Sequence, residues 1–237
     1  MKEYKAKDIK EIFLERKNGE RLDFNEVIIS DGDLSGFDLS NSSFTYSQFE
    51  NVNLRGASLA GSDLTDTLFH DSELQGIDFT KANLEGAVFR FIDLSGANIE
   101  GANLHAAVLE DADLYGVKTD EDTKYWRMVC PESGPFIAWK CCTELRVVQL
   151  LVPADARRVS ATNITCRCDK AKVLSIKSID ESVSYDWAQS TVDPDFYYER
   201  GEWVYPANGF EPDRWRDSSR GIHFFMERQQ CVDYQSK

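Results

Sequence analysis

The chain has 237 residues, of which 42% are hydrophobic and 29% charged, with a formal net charge of −14 and six cysteines. That length holds one or two domains. The sequence has no apolar run of membrane-spanning length, no signal-peptide core and no basic stripe. Membrane insertion and direct nucleic-acid binding are therefore excluded, and a cytoplasmic protein is expected.

From the N-terminus, residues 1–21 carry a charge of +2 and read as a cap. Asp8 in the N-cap position starts a short helix through Lys17 that presents Ile9, Ile12 and Phe13, and Asn18-Gly19 ends it.

Every fifth residue from Phe24 to Leu114 is Leu, Ile or Phe, nineteen positions in a row. Neither a 3.6-residue helix nor a 2-residue strand gives that register, so the chain is built of stacked short units. Two residues before most of these large side chains stands a small one, such as Ala57, Ser62, Thr67 or Ala97. Between the two comes Asp, Asn or Ser, whose side chains bond nearby backbone in turns. Glycines recur two residues after the large position, as at Gly56 and Gly96, where a tight corner needs positive φ.

Copies such as Ala82-Asn83-Leu84-Glu85-Gly86 and Ala112-Asp113-Leu114-Tyr115-Gly116 resemble the A-(D/N)-L-x-x units of the pentapeptide-repeat family over residues 22–118. The resemblance implies a mainly β fold, a right-handed, four-sided β-helix solenoid with four units per coil. Residues twenty apart then stack: Leu34, Leu54, Leu74, Leu94 and Leu114 form one interior column, and Ile29, Phe49, Phe69, Phe89 and Leu109 another. At roughly 4.8 Å per coil, not quite five coils make a rod about 20–25 Å long.

Two outward columns stand out. Asp33, Asn53, Glu73, Asp93 and Asp113 form an acidic column, suited either to turn bonding or to cations and a basic partner. Leu68, Val88 and Val108, with Phe91 nearby, form an apolar stripe, which usually marks an interface. That stripe is expected to dock the rest of the chain, a second copy or a protein partner.

After Val117 the composition changes: all five Trp and all six Cys lie in the remainder. Residues 119–135 read as a linker, and 136–237 as a strand-rich α+β domain that would also lid the rod. Strands are expected at 136–142, 146–152, 166–176, 196–206 (broken at Arg200-Gly201) and 221–225, with a helix over 227–234. The segments 130–136, 166–174 and Gly221-Ile222-His223-Phe224-Phe225 resemble a domain of unassigned biochemical role that commonly follows pentapeptide repeats in bacterial and phage-derived proteins. Its usual cysteine before the Gly-Ile-His-Phe-Phe strand is replaced here by Ser218.

The adjacent Cys141-Cys142 and the Cys166-x-Cys168 pair do not match zinc-knuckle spacing. No metal and no cofactor are assigned. A mixed site would need Cys130, Cys166, Cys168 and His223, and free thiols in a reducing compartment are the preferred reading. An enzyme would use Cys166 or Cys168 with His223 and Asp169 or Asp217, yet no nucleotide-binding, zincin or hydrolase motif is present. Strand alternation puts His223 opposite Ile222 and Phe224, so no catalytic residue is assigned.

Three functions compete. The first is a non-catalytic scaffold, an acidic rod that presents the C-terminal module to a protein partner or self-associates. The second, implied by resemblance to pentapeptide proteins that protect DNA gyrase from quinolones, is a DNA mimic acting on a topoisomerase or other DNA-binding protein. Residues 22–118 hold 17 acidic and four basic residues, net −13, and duplex DNA has one charge per roughly 1.7 Å. Against this, the acids spread over all four faces and the rod spans only about seven base pairs. The third is an unrecognised enzyme in the C-terminal domain.

Overall fold

The computed structural model describes residues 1–17 and 20–235, which divide into two compact units, Met1–Arg127 and Met128–Lys237. In the first, β1 (Lys2–Lys5) and α1 (Ala6–Leu14) precede β2 (Val27–Asp33), β3 (Gln48–Asn53) and β4 (Leu68–His70). The strands form one parallel ladder in chain order, with Ile29 beside Phe49 and Phe49 beside Phe69. Beyond β4 the ladder continues as single bridges at the same twenty-residue step, Leu68 to Val88 and Val88 to Val108. This is a β-helix. Its strands are short because the backbone turns every five residues: the second residue after each large position, from Glu26 to Gly116, has positive φ.

The inward positions fill the coil. Leu34, Leu54 and Leu74 are fully buried, and Leu34, Leu54 and Leu94 donate their amides to Asn53, Glu73 and Asp113 one coil on, each at 2.8 Å. Phe49, Phe69 and Phe89 stack with centroids 5.1 and 5.0 Å apart. Fully burying each such side chain stabilises by roughly 1.5–3 kcal/mol. Where the small inward residue is Ser or Thr, its hydroxyl is bonded. Ser47, Ser62, Ser72 and Thr67 donate to the carbonyls of Phe24, Leu39, Phe49 and Phe44 in the preceding coil, at 2.7–3.3 Å. Buried polar groups thus hold coil to coil.

The ends differ from the sequence expectation. Asp8 is not the N-cap: α1 starts at Ala6, Lys5 is the N-cap, and the Asp8 carboxylate accepts the Lys5 amide at 3.0 Å, three residues back. The Asn18-Gly19 stop lies outside the described residues. Strand β1 was not foreseen. It lays Lys2–Lys5 along Val27–Ser30, covering the first ladder edge, while Phe13 of α1 stacks on Phe24 and Phe44. At the other end, residues 120–126 supply the cover. Lys124 donates its amide to Ala102 at 2.9 Å, Thr123 bonds the Ile99 carbonyl at 3.1 Å, and Trp126 sits among Leu94, Leu114 and Val117.

The second unit is a seven-stranded sheet in the order β12-β9-β6-β5-β13-β8-β7, antiparallel throughout, with a separate β10–β11 pair. The strands are β5 (Phe136–Cys142), β6 (Arg146–Val152), β7 (Arg158–Ser160), β8 (Thr165–Cys168), β9 (Ala171–Ser178), β10 (Trp187–Gln189), β11 (Tyr197–Glu199), β12 (Trp203–Val204) and β13 (Ile222–Phe225), followed by α2 (Arg228–Gln235). The single strand expected over 166–176 is two. The chain turns at Asp169, whose carboxylate accepts the Arg157 amide and Nε at 3.0 and 2.8 Å. It then crosses to the far side of the sheet. One sheet face buries Ala138, Val148, Leu150, Cys166, Val173 and Phe224. The other packs Cys141, Val147 and Phe225 against Cys231 of α2.

Candidate functional site

The apolar stripe exists as a ladder. Leu68, Val88 and Val108 bridge one another in register, each half-buried. Phe91 stands at the neighbouring corner, 72% exposed, with φ 62°. The equivalent corners one coil apart are Asp31, Asn51, Asp71 and Asp111, all with positive φ. Asp and Asn tolerate that conformation and a bulky aromatic does not, so Phe91 is strained and solvent-facing at once.

The acidic column is largely committed to its own backbone. Asp33, Asp93 and Asp113 accept the amides of Ser35, Ser95 and Tyr115 at 2.8–2.9 Å, and Asn53 that of Arg55 at 3.1 Å. The hydroxyls and amides of Ser35 and Ser95 hold Asp33 and Asp93 below the usual carboxylate range. Glu73 makes no such turn and pairs with Arg55 at 3.4 Å. Gln75 links Arg55 to Asp93 at 2.9 and 2.8 Å. Among the described residues no group of three or more His, Cys, Asp or Glu is placed to hold a metal.

In the second unit the thiol–imidazole set is not assembled. Cys166 and Cys168 pair with Phe224 and Ile222 and point into the apolar core, while His223 pairs with Arg167 on the opposite face. Burial pushes the Cys168 thiol up to about 12, and hydrogen bonding with Cys130 together with burial raises Cys166. These are protonated thiols, not nucleophiles. Asp169 is held by Arg157 and does not orient His223. The mixed Cys130–Cys166–Cys168–His223 metal set fails for the same reason.

His223 does line a cleft, and with a residue that sequence reading passed over. Strand β13 pairs with β8 at four positions but with β5 only at Phe225–Trp139. Further along β5, Cys142 bridges Ser190 instead. Two cavities of about 190 and 340 Å³ open where β5 and β13 part, and Lys140, Val192 and His223 line both. The outer wall is the segment carrying Asp217 and Ser218, held by the buried Arg167, which donates to the carbonyls of Arg216, Asp217 and, at 2.8 Å, Asp213. Burial, then the charges of Lys140 and Arg167, push His223 down to about 4, and burial alone lowers Lys140. Burial also raises the Asp217 carboxyl against the pull of Asn163 and Arg167. In sequence Lys140 is one lysine in a strand of seven residues, with no motif around it.

The pentapeptide repeat region family matches residues 42–121, and a family described as of unknown function, DUF5758, matches residues 126–231. No curated protein matches the chain. Among solved structures, the chain is similar to the pentapeptide repeat protein Rfr23 from the cyanobacterium Cyanothece 51142, at 29% identity over 43% of this chain and 62% of that one, TM-score 0.34. It is similar to HetL of Nostoc sp. strain PCC 7120, involved in heterocyst differentiation regulation, at 27% identity over 45% and 44%, TM-score 0.28. QnrB1, a plasmid-mediated fluoroquinolone resistance protein, aligns at 17% identity over 42% and 83%, TM-score 0.20. The chain thus spans 62% of the length of Rfr23 and 44% of that of HetL. Its first unit carries a pentapeptide repeat region and its second a DUF5758 domain.

Proposed function

We propose that the protein is a non-catalytic interaction scaffold of the cytoplasm. In this reading residues 1–21 cap a right-handed, four-sided coil over 22–118, and residues 119–135 connect it to the module at 136–237. A protein partner docks on the Leu68, Val88 and Val108 stripe with Phe91 as its anchor. Phe91 carries the reading: a strained backbone with an exposed aromatic side chain is the kind of local cost that persists where it serves recognition. The same face holds Asp31, Glu50, Asp71, Glu110 and Asp111 against His70 and Arg90, the latter paired with Glu110, so it is acidic on balance. The fitting partner surface is therefore an apolar centre ringed by Lys and Arg, and binding weakens with salt.

The test is capture from native-host lysate on the immobilised full chain. The wild type is expected to retain a basic partner that Val88→Lys loses and Phe91→Asn weakens, with unchanged circular dichroism in both variants. Equal retention by all three overturns the reading. Sedimentation of a dimer that Val88→Lys dissociates would make the partner a second copy. The DNA-mimic alternative rests on the net −13 of residues 22–118. Pairs such as Lys5–Asp31, Arg16–Asp38, Arg55–Glu73 and Arg90–Glu110 offset part of that charge. Inhibition of topoisomerase supercoiling that survives Val88→Lys would favour the mimic.

A further inference from the structure

The cleft between β5 and β13 holds a lysine that the protein itself leaves without a counter-charge. The Lys140 side chain has no hydrogen bond and no ion pair among the described residues, although it lies on a central strand and lines both cavities. Lys140 is half-buried, and drawing an ammonium even partly out of water without a partner is costly, so proteins answer by pairing the charge or losing the proton. The neighbouring acids do neither job. Asp193 accepts the Asp195 amide at 3.0 Å, and Asp217 is held by Asn163 at 3.4 Å.

The remaining wall is built for a ligand with one charged end. Ser190 is buried, and its hydroxyl oxygen accepts the amides of Val192 and Asp193 at 3.3 and 3.4 Å, which leaves its proton to donate. Beyond Ser190 the smaller cavity is lined by the apolar Val192, Phe196, Tyr198, Pro206 and Ile222, together with Asn208, Ser219 and Arg220, the last paired with Glu211 at 3.3 Å. At about 190 Å³ this cavity lies below the roughly 300–1,000 Å³ usual for drug-sized ligands, which limits its occupant to a small molecule. Asp193 lines the smaller cavity and Asp217 the larger, and each opposes a ligand bearing two or more negative charges.

We propose that this cleft binds a small organic monocarboxylate, its carboxylate seated between the Lys140 ammonium and the Ser190 hydroxyl and its apolar body against Phe196 and Pro206. The ligand supplies the counter-charge that the fold omits. His223, neutral at physiological pH, lies beside that charge without competing for it, and it reports occupancy. With a carboxylate next to Lys140, the net positive field on the ring falls and its pKa rises from about 4.

The experiment uses the full chain and a panel of aromatic and aliphatic monocarboxylates, each paired with its uncharged amide, plus inorganic phosphate, read by ligand-observed NMR. The chain has only three histidines, so the His223 ring protons can be followed alongside. The expected result is that carboxylates bind, amides do not, and the His223 titration moves upward on binding. Lys140→Met, which removes the half-buried charge and keeps the stem, should weaken binding at least tenfold. Val192→Trp, at an 84% exposed position on the cavity mouth, should block entry without touching Lys140. The proposal is overturned if no carboxylate binds, if amides or phosphate bind as well, or if both variants keep wild-type affinity.

Discussion

A phenylalanine held at φ 62° forgoes about 1–2 kcal/mol relative to a residue at ease in the left-handed region. Phe91→Asn, which restores the residue type of Asn51 two coils back in the column, is therefore expected to raise unfolding stability by about 1 kcal/mol in urea titrations while weakening partner capture. A variant that gains stability and loses binding separates recognition from packing. His223 supplies the complementary case. Its folded form is the neutral ring with a pKa of about 4, against an ordinary 6.5. The unfolded chain takes up the proton first, so the contribution is complete above pH 6.5 and is lost as pH falls toward 4. Partial solvent access reduces it to about 2 kcal/mol. His223→Gln should flatten stability across that window, as measured by denaturation at pH 4.5 and pH 7.

The elements of the first unit were legible because one period fixes everything: a large inward residue every fifth position dictates the coil, its columns and its corners. Leu74 illustrates the consequence, since it is fully buried between like side chains that cannot collapse inward. Leu74→Ala should cost roughly 2–5 kcal/mol, visible as a lower thermal midpoint. In the second unit, β5 and β6 were equally legible, as unbroken β-rich runs on either side of a short turn. What was not legible depends on distant partners. Strand β1 carries three charged residues and a tyrosine and is held only by pairing with β2. The turn at Asp169 is made by Arg157, twelve residues away. The cleft has the same origin: it exists because β13 leaves β5 after one pair, and its walls come from six separate stretches of chain. No local pattern around Lys140 encodes that.

At the scale of the molecule the two units divide chemistry between them. The coil concentrates net charge and repetition, and the second unit concentrates cysteines, tryptophans and the cleft. The scaffold and ligand readings therefore fail independently, since Val88 and Phe91 lie in one unit and Lys140 in the other. The counting of the ladder has one more consequence. Its internal step is twenty residues, but Lys2 lies on Val27, a step of 25, and Asn103 on Lys124, a step of 21. A parallel stack whose first and last rungs are out of phase with the rest offers no matching surface for another copy to extend, so the irregular rungs act as terminators of polymer growth. Removing residues 1–20 would strip β1 and Phe13 from β2 and Phe24 and leave an in-phase rung bare. Light scattering should then record self-association through that end that stops at pairs, because residues 120–126 still cover the other.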